Sequence, residues 1–95
     1  MLNEMRRDRR EPEKVKITVN GTDSNGLSFE EQTETIDLSV QGLSFYLSAP
    51  IFRGAFLGIT IHGSNSFGFS GKLQALVARI DSTPSGKQLV AVQIR

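Results

Sequence analysis

The sequence predicts an all-β fold: a small antiparallel six-stranded barrel over residues 15–95, preceded by a flexible basic arm over residues 1–14. Three observations carry this. Apolar residues recur with a period of two in several short segments, the mark of half-buried strands. Clusters of Gly, Asn, Asp, Ser and Pro separate these segments at spacings of about 8–15 residues. No stretch carries a convincing 3.6-residue apolar period, so helices are not expected to build the core. A closed barrel is favoured over an open sheet because closure removes the unpaired edges that a chain of 95 residues would expose.

The elements follow in chain order. Val15, Ile17 and Val19 alternate with Lys16, Thr18 and Asn20 and predict the first barrel strand. Asn20 to Gly26 is dense in residues that tolerate positive φ or bond their own backbone, and reads as a hairpin loop. Leu27 to Ile36 mixes Leu27, Phe29 and Ile36 with Glu30, Glu31 and Glu34, which predicts a strand carrying a bulge or short break. Leu43, Phe45 and Leu47 oppose Ser44, Tyr46 and Ser48 in a strand over Gly42 to Leu47, and a loop over Pro50 to Gly54 ends it. Leu57, Ile59 and Ile61 define a strand from Phe56 to His62, and a turn over Gly63 to Gly68 leads to a strand from about Phe69 to Ile80. Thr83-Pro84-Ser85-Gly86 is a turn, and Val90, Val92 and Ile94 alternate in the closing strand.

Composition narrows the function classes. A chain of 95 residues has room for one core. Without Cys, and with His62 as its single histidine, it carries neither a disulfide framework nor a thiolate or multi-histidine zinc site within one chain. The most apolar stretch, Leu43 to Ile61, is interrupted by Pro50, Arg53 and Gly54, and the first ten residues are too polar for a secretory signal; a cytoplasmic domain is expected. Eleven basic residues against ten acidic give a net charge of +1, which argues against a protein that coats DNA or RNA by bulk charge.

No catalytic constellation emerges. No nucleophile-elbow pattern surrounds any Ser, and no phosphate-cradling glycine loop is present. His62, at a strand end beside Gly63, reads as an ordinary turn residue, and Glu30, Glu31 and Glu34 as a solvated strand face. The Asn20-Gly21-Thr22 sequon reads as accidental. An enzyme is not expected, nor a cofactor.

Two short patterns remain. Arg6, Arg7, Arg9 and Arg10 crowd one five-residue run, within which Arg6 and Arg10 have R-x-x-x-R spacing. After 26 intervening residues, Asp37-Leu38-Ser39-Val40-Gln41-Gly42 fits D-x-S-x-x-G and runs into a clean strand. By chance the first would occur in roughly a quarter of chains this long and the second in a few per cent. Their order and separation, inside an all-β chain, make them a constellation.

On these residues the sequence resembles the PilZ domain, a small β-barrel family that binds the bacterial second messenger cyclic di-GMP. The resemblance covers most of the chain. It takes in the arginine motif in a leading arm, the run from Ile36 to Phe45, the Pro50 to Gly54 loop and the closing strand Leu89 to Ile94. It implies a cyclic di-GMP receptor module, with Arg6 and Arg10 clamping the ligand, Arg7 and Arg9 as further phosphate contacts, and Asp37, Ser39 and Gly42 on the barrel surface. The arm is then expected to be mobile in the free protein and to order over the ligand, presenting a changed surface to a downstream protein or to a domain of the same polypeptide. Two features differ from the family pattern: many members follow the last strand with a helix, whereas this sequence stops at Arg95, and Ile94 stands where an aromatic residue is frequent.

The chemistry suits these side chains. An arginine fork matches both a phosphate pair and the O6/N7 edge of guanine. A carboxylate such as Asp37 accepts from guanine N1 and N2, where adenine offers no such donor pair. Ser39 offers a short hydroxyl to a phosphate or base, or alternatively satisfies backbone donors in a turn. Gly42 lets ligand or backbone approach closely, or takes a conformation closed to other residues. The competing reading is a barrel of the same fold that has lost nucleotide binding and serves as a protein interaction domain.

Overall fold

The structure, a computed structural model, describes residues 11–95. Seven strands occur in chain order: β1 (Glu11–Pro12), β2 (Lys16–Thr22), β3 (Ser28–Leu38), β4 (Gly42–Leu47), β5 (Phe56–His62), β6 (Gly71–Ser82) and β7 (Gln88–Ile94). They hydrogen-bond in the order β1-β3-β2-β5-β6-β7-β4, and β4 pairs back onto β3. Strands β2 to β7 thereby form the closed six-stranded antiparallel barrel that the alternation predicts, and β1 is an additional strand on β3.

Alternation sets the interior. Ile17, Val19, Phe45, Leu47, Ile59 and Val90, each at most 1% exposed, fill the barrel together with Leu43, Leu57 and Val77. On β3 the alternation breaks. Thr35 and Leu38 are both buried although three positions apart, because the register with β4 shifts between Thr35 and Asp37. One extra residue in the strand changes which side chains face the core.

Several boundaries differ from those read in the sequence. Asn20 pairs with both Glu30 and Gly58, so β2 continues through Thr22 and the hairpin turn is confined to Asp23 to Gly26. There an Asp23 carboxylate oxygen accepts from the amides of Asn25 and Leu27, at 2.8 and 2.9 Å, and Gly26 supplies a φ of 85°. Strand β6 begins at Gly71 rather than near Phe69, because the Asn65 side chain captures the backbone of Phe67 and Phe69 and holds it in a loop. Glu31 is not simply solvated: its carboxylate accepts from the amides of Ser48 and Ala49 at the start of the β4–β5 loop.

The segment expected as an arm over residues 1–14 enters the sheet before its end. Pro12 faces Asp37 and Glu11 faces Leu38, so β1 takes up the side of β3 that β2 leaves after Lys16 and Glu34.

Candidate functional site

The D-x-S-x-x-G residues form the β3–β4 hairpin. Asp37 and Leu38 end β3, residues 39–41 make the turn and Gly42 opens β4. The Ser39 amide donates to the Gly42 carbonyl at 2.9 Å, and the Ser39 hydroxyl accepts from the amides of Gln41 and Gly42 at 3.2 and 3.1 Å. Ser39 is fully buried. Of the two roles open to this serine, the geometry displays the turn role: its hydroxyl satisfies backbone donors.

Gly42 is required for a steric reason. A Cβ at this position would lie 1.9 Å from the Val92 carbonyl oxygen on β7, a contact no side chain survives. Its φ is not in the left-handed region, so close approach of two strands, rather than special backbone conformation, accounts for the glycine.

Asp37 lies on the outer face, partly buried, and its Oδ1 accepts from the Ser44 hydroxyl at 2.8 Å. Ser44 is its register partner on β4 and lies between the core residues Leu43 and Phe45, so it faces away from the core, although it is itself buried. The bond draws the carboxylate over β4. Beyond Ser44 the next residue across is Ala91 on β7, and beyond that Arg79 on β6.

The base of the arm is fastened beside this hairpin. Buried Thr35 accepts from the Val15 amide through Oγ1 at 2.9 Å and donates through the same oxygen to the Glu13 carbonyl. The Glu13 amide reaches the Ile36 carbonyl, and the Glu13 carboxylate accepts from the Ser66 amide in the β5–β6 loop. The chain is thus held at Glu13 and Val15 immediately after β1 has run along Asp37 and Leu38.

Arg6, Arg7, Arg9 and Arg10 lie outside the described residues. Among the described residues, the depression beside the hairpin has a volume of about 120 Å³ and is lined by Ser39, Gln41, Gly42, Arg79 and neighbours on β7. A larger open depression, about 740 Å³, lies between Lys14, the outer face of β3, Tyr46 and the β6–β7 turn at Lys87, and none of the motif residues lines it. Size alone does not decide between them: Asp37 lines neither, and only the smaller one borders the turn. Among the described residues no group of three or more His, Asp or Glu could hold a metal, and no helix is long and apolar enough to cross a membrane. His62 is exposed and pairs with the Thr18 hydroxyl at 2.8 Å, a strand-end contact.

Comparison with protein families matches the PilZ domain over residues 4–95. The chain belongs to the PilZ domain family. Members are typically cyclic di-GMP receptors and non-catalytic binding modules. Two solved structures share the fold of this PilZ domain. The Bacillus subtilis inhibitor of motility, MotI/DgrA, superposes with a TM-score of 0.70 at 18% identity, over 95% of this chain and 42% of that one. The K. pneumonia MrkH–c-di-GMP complex superposes with a TM-score of 0.62 at 15% identity, over 95% of this chain and 44% of that one. The PilZ chain therefore spans less than half the length of either. No curated protein matches it.

Three residues that position this site were not singled out by the sequence. Ser44 lies on the outer face by alternation, but that it holds Asp37 depends on where the bulge expected in β3 falls, which alternation does not fix. Thr35 resembles any strand threonine, and its double bond to the arm is a tertiary contact. Arg79 lies 42 positions after Asp37, and only the β4–β7–β6 pairing brings it near the hairpin.

Proposed function

We propose that this PilZ domain is a non-catalytic cyclic di-GMP receptor of the cytoplasm, binding its ligand between the Arg6–Arg10 segment and the β3–β4 hairpin. The observation that carries the reading is the pairing of β1 with the end of β3: Pro12 and Glu11 lie opposite Asp37 and Leu38. Arg10 is covalently next to Glu11, and at about 3.3–3.6 Å per residue Arg6 is within roughly 18 Å of it. Both arginines can therefore reach a ligand seated on Asp37 without detaching the Thr35 anchor.

The size of the surface depression supports an arm that closes. About 120 Å³ beside the hairpin is below the roughly 300–1,000 Å³ of a self-sufficient small-molecule pocket. The barrel supplies a floor and the arginines supply the roof. In this scheme Asp37 accepts from guanine N1 and N2, Arg6 and Arg10 grip phosphate or guanine with charged forks, and Arg7 and Arg9 add phosphate contacts. Ser39 and Gly42 serve by shaping the hairpin that presents Asp37. Ligand closure of the arm changes the surface seen by a downstream protein or a linked domain.

Calorimetric titration of cyclic di-GMP into the wild type, Arg10→Ala and Asp37→Ala tests this, with GTP and cyclic di-AMP as controls. Saturable, guanine-selective binding lost in both variants is the expected result. Absence of heat, with no ligand-induced rise in melting temperature, would sink the receptor reading and turn attention to protein partners.

A further inference from the structure

The barrel wall opposite the β3–β4 hairpin holds a second depression. In the closed order of strands β5 lies three places from β4 in either direction, so its outer face is turned away from Asp37. Leu57, Ile59 and Ile61 face the core, which leaves Phe56, Gly58 and Thr60 facing out. A glycine inside a strand commonly marks a bulge or the close approach of another group. The registers of β3 and β6 do shift, between Thr35 and Asp37 and between Val77 and Arg79, but β5 pairs without a break with both β2 and β6, and the φ of Gly58 is not positive. Close approach is therefore what Gly58 permits. A Cβ here would overlap Asn20 Oδ1 and stand 3.2 Å from Lys72 Cε, so these two side chains lie across the glycine and bury it.

The groups around Gly58 are free to bind. Asn20 and Gln74 are its register partners on β2 and β6, so carboxamides flank it on both sides. Among the described residues, the side chains of Asn20, Lys72 and Gln74 make no hydrogen bond or ion pair. Phe56, two residues before Gly58, is 58% exposed. Together they border an open depression of about 500 Å³, within the roughly 300–1,000 Å³ of small-molecule sites. Its chemistry favours one class of ligand. Lys72 is the one charged side chain lining it, which does not suit a polyanion. Gly58 lies inside the sheet with β2 and β6 on either side, so it offers no strand edge to a peptide. Each carboxamide presents a donor beside an acceptor, the pattern that neighbouring hydroxyls complement, and the ammonium adds further donors. The exposed phenyl ring offers a flat apolar face to the C–H face of a sugar ring. We infer that this β2–β5–β6 face is a saccharide site, where a ring of a neutral glycan stacks on Phe56 and its hydroxyls bond Asn20, Lys72 and Gln74 above Gly58. The site is separate from the cyclic di-GMP surface and does not depend on it.

Amide chemical shifts followed by NMR during titration with maltohexaose, cellohexaose and chitohexaose test the assignment in the wild type, Phe56→Ala, Asn20→Ala and Gly58→Ala. At least one glycan should shift the amides of Asn20, Gly58 and Gln74 saturably while leaving those of Asp37 to Gly42 in place. Phe56→Ala should weaken this binding at least about fivefold, the threshold for a side chain that anchors an interface. Gly58→Ala expels the ends of two flexible side chains rather than backbone, so the fold and melting temperature should persist while the glycan-induced shifts disappear. Asn20→Ala empties the depression instead of filling it and should also weaken binding, which keeps the test decisive if Gly58→Ala does not fold. Absence of shifts with all three glycans at about 10 mM, where even a millimolar site is mostly filled, would overturn the site. Binding that survives in Phe56→Ala and Asn20→Ala, or shifts centred on the β3–β4 hairpin, would overturn it equally.

Discussion

Asp37 and Ser39 belong to one motif and sit two residues apart, yet their surroundings give them opposite roles. Asp37 is on the outer face with its carboxylate aimed by Ser44, whereas Ser39 is sealed beneath the turn with its hydroxyl on two amides. Their substitutions should separate accordingly. Asp37→Asn replaces one acceptor by a donor facing guanine N1 and N2, and should weaken cyclic di-GMP binding by at least about tenfold in calorimetry with unfolding free energy near that of the wild type. Ser39→Ala leaves the amides of Gln41 and Gly42 without their side-chain acceptor and should cost about 1–3 kcal/mol in urea denaturation. An unchanged urea midpoint would show that water replaces the hydroxyl. Gly42 is stricter still: with the Val92 carbonyl 1.9 Å from any Cβ, Gly42→Ala must part β4 from β7, and loss of the cooperative unfolding transition is the expected outcome. These roles were only partly legible in the sequence. Residue types and spacing marked all three positions, but whether a serine faces a ligand or its own backbone depends on burial, which a spacing pattern does not contain.

At the scale of elements, the two bulges decide the layout of the site. Alternation predicts strands well where one face is apolar, as in Val15 to Val19, Gly42 to Leu47 and Phe56 to His62. It is weaker on β3, where Glu30 and Glu34 are exposed and Thr35 is buried; the bulge expected in this strand falls at Ile36 and carries Asp37 onto β4. The arm's attachment is likewise a matter of elements meeting. Thr35 links Glu13 and Val15 through one buried hydroxyl, so Thr35→Val removes an acceptor and a donor while keeping the side chain's shape. That variant should lose about 1–3 kcal/mol of stability, and hydrogen exchange at the Val15 amide should accelerate beyond the rest of β2. Exchange at Val15 that merely follows the global loss would show that the anchor is not local. The β6–β7 hairpin behaved as its sequence suggests: Gly86, at φ 90°, closes a turn in which the Thr83 hydroxyl reaches the Lys87 carbonyl.

For the whole molecule, stability rests on a single core with no disulfide behind it. Phe45 is its largest fully buried side chain, and Phe45→Ala should cost about 3–5 kcal/mol, a large share of what a domain this size possesses. Its thermal transition should fall by well over 10 °C or disappear, on the scale of about 4–8 °C per kcal/mol. Ligand acts in the other direction. Cyclic di-GMP at about 100 times its Kd should stabilise the folded state by about 2.7 kcal/mol, raising the midpoint by roughly 10–20 °C in the wild type and hardly at all in Asp37→Ala.

The division between sequence and structure follows from the range of the forces involved. Alternating side chains, turn residues and the absence of helical periodicity are local properties, and they were enough for an all-β barrel, six of its strands and the two short motifs that point to the PilZ family. Which faces meet is a property of the closed sheet. That β1 lies beside Asp37, that Ser44 aims the carboxylate, that Ser39 is buried and that Arg79 turns outward all depend on register between strands distant in sequence. A single inserted residue at Ile36 or Ala78 reverses every side chain beyond it, and only the paired strand fixes where the insertion falls.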